Sequence, residues 1–203
     1  MTTTHRAVRR RWLLASALAL LLAAACSGEQ AGASFNSLNV SGAEWGRGFS
    51  LRDPQGQLRT LDDFRGQVVM LFFGFTQCPD ICPTALARVA DVMQRLGPDA
   101  ERLQVLFVTI DPERDTPALL REYTRAFHPS FLGLYGDLPG TEAAAREFKV
   151  FYKKVPTGSS YTMDHTTLSY VFDAKGRLRL AVRHEQDAAS VAADIRRLLK
   201  EQA

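Results

Sequence analysis

The chain has 203 residues, with 25 basic and 22 acidic side chains and a formal charge of +3, which suits one ordinary domain with extensions. The excess is local: residues 1–25 hold four arginines and no acid, leaving 21 basic against 22 acidic groups elsewhere. No basic face remains for a nucleic-acid partner, and none is expected.

The chain opens on a leader. Arg9, Arg10 and Arg11 form a positive start, and residues 12–25 are an apolar run of signal-peptide length, short for a membrane span. Small residues then lead into Cys26, as in a lipobox, with Leu22 one place earlier than usual. Residues 1–25 therefore read as a lipoprotein-type signal peptide, with Cys26 as the lipidated first residue of the mature chain. Simple cleavage near Ala25, an uncleaved anchor and a twin-arginine signal at Arg10-Arg11 are the other readings. Residues 26–48, rich in Ser, Gly, Ala and Asn, read as a flexible linker. As coil, residues 27–48 span about 26 Å.

From Phe49 the pattern tightens into a single domain, 49–203. Residues 49–51 and 58–60 flank the turn signal Asp53-Pro54-Gln55-Gly56 and predict a β-hairpin. Residues 61–64 make a helical turn, and 68–73 are a continuous apolar run, as in a strand buried on both faces. A helix is expected from Pro83 to Gly97, with Leu86, Val89, Met93 and Leu96 on one side. Residues 105–110 form a second buried strand. Thr116 and Pro117 open the next helix as cap and first residue. A short strand at 131–135 follows, then a helix capped by Thr141. Residues 153–161 read as a polar loop, 167–172 and 178–182 as paired strands, and Asp187 as the cap of a last helix. Strands alternating with helices predict an α/β sandwich with an N-terminal β-hairpin extension. Paired cysteines at the first buried strand-to-helix junction make that sandwich thioredoxin-like.

Lipidation consumes Cys26, so the folded part keeps only Cys78 and Cys82, in an exported and oxidising setting. A staple across so small a loop adds little stability, so the pair is expected to be chemical. Their four-residue spacing puts both sulfurs on one face of a first helical turn, where the helix end favours thiolates. Spacing alone leaves a redox pair and half of a metal site equally open.

His165 tips the balance. It stands at a strand entrance that lies beside the cysteine loop in this fold, where redox enzymes carry proline. Asp164 is a candidate outer carboxylate for its ring, and Met163 a candidate soft ligand, though a core methionine is the commoner role. Two thiolates and one imidazole suit Cu(I) or Cu(II) better than structural zinc, which wants four protein ligands. His128 and His184 read as solvated. The charged stretch 111–117 reads as helix-start chemistry, with a weaker reading as a partner-docking surface.

Three motifs, Gly74-Phe75-Thr76-Gln77-Cys78-Pro79-Asp80-Ile81-Cys82-Pro83-Thr84, Asp111-Pro112-Glu113-Arg114-Asp115-Thr116-Pro117 and Asp164-His165-Thr166, closely resemble the Sco/SenC family. The similarity runs from about residue 44 to the C-terminus. It implies a membrane-tethered, thioredoxin-like protein that binds copper through Cys78, Cys82 and His165 and helps build the binuclear copper centre of cytochrome c oxidase. The expected partners are the oxidase's copper-site subunit and another periplasmic copper chaperone or thiol reductant. The expected place is the periplasmic face of a membrane, the inner one on functional grounds. A copper metallochaperone is thus the first reading. A thiol–disulfide oxidoreductase acting on the oxidase's copper-site cysteines is the second, and a peroxide-reducing enzyme with Cys78 as attacking thiolate the third.

Overall fold

The computed structural model describes residues 34–201. The leader and Cys26 lie outside them. Strand β1 is Leu38–Asn39, β2 Ser50–Arg52, β3 Leu58–Thr60 and β4 Val68–Gly74; helix α1 is Ile81–Leu96, followed by β5 Leu103–Thr109 and α2 Pro117–Phe127. Then come β6 Leu132–Leu134, α3 Leu138–Glu147, β7 Tyr152–Thr157, β8 Ser160–His165, β9 Ser169–Phe172, β10 Leu178–Val182 and α4 Ala188–Lys200.

A six-stranded sheet in the order β1-β10-β9-β4-β5-β6 forms the centre. All seven residues of β4 are buried, as its unbroken apolar run demands of a strand covered on both faces. It pairs in parallel with β5, from Val68 opposite Leu103 to Gly74 opposite Thr109, and antiparallel with β9. On one face Met70 borders the same small cavity as Ala85, Val89 and Val92 of α1 and Val191 of α4. On the other, the Phe73 ring lies 5.3 Å from Phe148 and 6.4 Å from Tyr170. Both faces are thus closed by large apolar groups, which fixes where β4 ends and the cysteine loop begins.

The N-terminal hairpin forms as expected, with Leu51 opposite Arg59. Four boundaries differ from the sequence reading. The linker does not run to residue 48. Leu38 and Asn39 add an edge strand to β10, and the buried carboxylate of Asp194 accepts from the backbone N–H of Asn36 and Ser37, at 2.9 and 2.8 Å. Polar composition hid this: the few apolar residues that pack on the core, Phe35, Val40 and Trp45, are scattered without a repeat, and hydrogen bonds hold the stretch between them.

Helix α1 starts at Ile81, two residues before Pro83. Proline is tolerated there because first-turn N–H groups have no helical partner to lose. The cap of α3 is Asp137, which accepts from Gly140 N, and Thr141 is buried inside the helix.

Residues 153–161 are not a loop. They belong to the antiparallel pair β7–β8, which turns at Gly158 with φ +60° and pairs Tyr152 with His165 at its base. β8 alternates Tyr161 and Met163 with Thr162 and Asp164, but β7 carries Lys153, Lys154 and Pro156 and both strands face mostly solvent, so the composition reads as a loop. Among the described residues, no helix is long and apolar enough to cross a membrane.

Candidate metal centre

Strand β4 ends at Gly74, and the chain turns through Phe75 to Asp80 before α1 begins. Asp80 holds the N-cap position, yet its side chain makes no cap bond. The Sγ of Cys78 does this work instead, accepting from the backbone N–H of Cys82 at 3.4 Å. A sulfur in that place meets the positive end of the helix, which favours its ionised form. Cys82 sits in the first turn, wholly buried, while Cys78 is half-buried and reachable from outside.

His165 closes β8 and comes to the pair from the other side, its Nε2 3.7 Å from Cys82 Sγ. Its Nδ1 lies 2.8 Å from the carbonyl oxygen of Thr166. A carbonyl can only accept, so Nδ1 carries the proton and Nε2 is left with its lone pair facing the sulfurs. The rings of Phe72 and Phe75 stand edge-on to the imidazole at 6.1 and 6.0 Å and wall the site. One ligand atom from each of Cys78, Cys82 and His165 lies within 4.8 Å of the others, the one such group among the described residues.

The two thiols differ sharply. A hydrogen bond from the Cys82 thiol, opposed by burial and helped by the Cys82 backbone N–H, holds Cys78 down to about 3. The same bond, together with burial and the neighbouring negative charge, pushes Cys82 up. The metal-free pair therefore holds one half-buried thiolate and one buried thiol.

Several neighbours of the site were not singled out in the sequence. Gly74 leaves room for it: a Cβ there would lie 2.8 Å from Cys82 Sγ and from Phe107, and 2.9 Å from Phe72. A glycine ending an apolar strand was the available signal. Asp115 is buried and accepts from Thr76 N at 3.1 Å, from Thr76 Oγ1, and from Thr109 Oγ1 at 2.6 Å. It ties the cysteine loop to β5. The 111–117 stretch therefore turns Asp111 and Asp115 inward, and its docking reading loses those charges.

Asp164 is exposed and pairs across the hairpin with Lys153. The Thr166 carbonyl takes the role expected of it. Met163 is buried in the core. The His128 ring meets Ser130 Oγ at 2.8 Å. His184, read as solvated, is half-buried with Nδ1 enclosed. Neither histidine joins the cluster.

Residues 39–200 match the family model described as SCO1/SenC. The mouse mitochondrial SCO2 homolog (Mus musculus) is 39% identical over 153 residues, 73% of this chain and 60% of the mouse protein. The SCO2-like protein of Rickettsia felis is 38% identical over 135 residues, 65% of this chain and 66% of its own length. The match thus spans less than two thirds of these relatives. The solved structure of Bradyrhizobium japonicum ScoI with copper bound is 38% identical, covers 77% of this chain and 99% of that one, and aligns with a TM-score of 0.70. Apo Sco1 of Thermus thermophilus, also 38% identical, covers 84% and 99% with a TM-score of 0.72. The fold is thioredoxin-like, as expected.

Proposed function

The chain belongs to the SCO1/SenC family, and from that premise we propose that it is a copper metallochaperone. Its cargo is one copper ion, held by Cys78, Cys82 and His165 and delivered to the binuclear copper centre of cytochrome c oxidase. The observation that carries this reading is the convergence of two soft sulfurs and one imidazole lone pair within 4.8 Å. Three such ligands satisfy copper, whereas structural zinc asks for four. Copper supplies an electrophile that exchanges readily between thiolates.

The protein's own groups prepare that exchange. Cys78 is ionised before the ion arrives, Cys82 gives up its proton on binding, and Thr166 keeps the Nε2 lone pair of His165 aimed inward. Cys78, the less buried of the two cysteines, is the sulfur an acceptor's thiolate reaches first. Cys26 carries lipid and holds the domain at the periplasmic face of a membrane. Another periplasmic copper chaperone or a thiol reductant keeps the pair loaded or reduced.

A second reading has its own support. A half-buried thiolate beside a buried, protonated thiol is also the asymmetry of an attacking and a resolving cysteine. It makes the protein a reductant of the oxidase's copper-site cysteines.

One experiment separates the two. The whole chain, in detergent, is mixed with the isolated copper-site domain of an oxidase subunit. Under the first reading, the copper-loaded protein passes metal to the reduced acceptor and the binuclear absorption appears. Under the second, the metal-free protein reduces the acceptor's disulfide and no metal moves from the loaded form.

A further inference from the structure

The hairpin β7–β8 carries His165 at its last position but stands off the body of the domain. Of the six residues in each strand, only Met163 is buried. A two-stranded ribbon of this kind is marginal by itself, so its anchors decide where its end lies.

Those anchors converge on one loop. Apart from His165, every polar contact from the two strands to the rest of the described residues runs to 111–114. Tyr161 Oη donates to Asp111 Oδ1 at 2.8 Å, Arg114 Nη1 donates to the Tyr161 carbonyl at 2.8 Å, and Lys154 Nζ pairs with Glu113 at 2.6 Å.

Arg114 is the centre of the arrangement. Its guanidinium lies 3.6 Å from the centroid of the Tyr161 ring, its Nε donates to Asp111, and its Nη2 is enclosed without a partner. Asp111 is fully buried beneath it. The same loop continues to Asp115, which holds Thr76 in the cysteine loop. One short segment therefore grips both halves of the metal centre.

We propose that Arg114 and Tyr161 are positioning residues for this centre: with Asp111 they latch the hairpin so that His165 Nε2 faces the cysteine pair. Releasing the latch turns a three-ligand site into a two-thiolate one. The inference rests on the copper-site reading above. The chemistry suits a latch. A buried ion pair is costly when one member is lost, and the cation stacked on the aromatic face adds a directional contact. The Lys154–Glu113 pair is exposed at 44% and 45%, contributes little, and serves as an internal control.

The test uses the whole chain. Arg114→Lys keeps the charge and loses the stacked fork, Tyr161→Phe keeps the ring and loses the bond to Asp111, and Lys154→Ala removes the exposed pair. Each is made alone and with His165→Ala. Copper affinity, the imidazole-nitrogen coupling in the Cu(II) EPR spectrum and, without metal, amide exchange in β7–β8 are measured.

Arg114→Lys and Tyr161→Phe are expected to weaken copper binding roughly tenfold, as loss of groups that orient a ligand does. They should also reduce the nitrogen coupling and speed exchange in the hairpin. Lys154→Ala should change affinity less than about twofold. In the His165→Ala background neither latch variant should weaken binding further, since both act through His165.

Unchanged nitrogen coupling in both variants, or an equal loss without His165, would overturn the latch. If Arg114→Lys does not fold, Tyr161→Phe decides alone. If His165→Ala itself leaves copper affinity intact, the ligand assignment fails. If it weakens binding while both latch variants behave as wild type, only the latch fails.

Discussion

The Nδ1 of His165 lies 2.8 Å from the carbonyl oxygen of Thr166, its own neighbour in the chain. That contact fixes the tautomer without a charged partner. It leaves Nε2 free toward Cys82 Sγ at 3.7 Å. A carboxylate in the same place would add negative charge beside two sulfurs. A backbone carbonyl orients the ring without it, and Asp164 stays in solvent.

Gly74 is the tightest point of the scaffold around the pair. A methyl group at this position meets Cys82 Sγ and Phe107 at 2.8 Å, distances that neighbours must yield to. Gly74→Ala is expected to destabilise the metal-free protein by about 1–3 kcal/mol, the usual cost of overpacking a core. It should also lower copper affinity by displacing the Cys82 sulfur. Thermal unfolding and copper titration check this; wild-type values for both would mean that the loop yields freely.

The pH behaviour of Cys78 follows from its partners. Its folded value is held at about 3, against 9.0 for an ordinary thiol. Ionisation of Cys78 thus favours the folded state fully above pH 9, and that contribution disappears as pH falls toward about 3. Alkylation of Cys78 in the reduced, metal-free protein should stay nearly flat from pH 9 down to about 5. The urea-unfolded chain should slow about tenfold for each unit below pH 8. Mass spectrometry of the labelled protein reads both. A tenfold fall per unit in the folded protein as well would contradict the hydrogen-bonded thiolate.

Asp194 binds the start of the domain to its last helix. Both of its oxygens are used, by Asn36 and by Ser37, and the residue is 3% exposed. Asp194→Ala leaves these donors without partners and should cost about 1–3 kcal/mol. Limited proteolysis should then cut between residues 34 and 40 while the copper spectrum stays that of wild type. Unchanged resistance to protease would mean that β1 and the packing of Phe35 and Trp45 hold the segment without Asp194.

Elements with apolar patterns of their own were legible in the sequence. The buried strands β4 and β5, the face of α1 and the caps Thr116 and Asp187 stand close to where periodicity and capping chemistry put them. So were Cys78, Cys82 and His165 as a group, because they come from motifs of distinctive residue types. What could not be read was held by contacts between distant polar groups. Residues 35–48 carry no apolar repeat, and they are attached by Asp194, over 150 positions away, and by isolated contacts such as that of Trp45 with Tyr170. The β7–β8 ribbon buries only Met163 among its twelve strand residues and is anchored through Tyr161 and Arg114. Asp164 is visible as a candidate partner for the His165 ring, whereas a backbone acceptor such as the Thr166 carbonyl leaves no mark in a sequence.

The central claim is that two cysteines and His165 together hold copper. Its most direct test is metal analysis with absorption and EPR spectra of the whole chain, wild type beside His165→Ala. The wild type should bind one copper and show thiolate-to-Cu(II) absorption with imidazole-nitrogen coupling. The variant should lose that coupling and bind copper at least about tenfold more weakly. Equal affinity and an unchanged Cu(II)–thiolate spectrum in His165→Ala would contradict the three-ligand site.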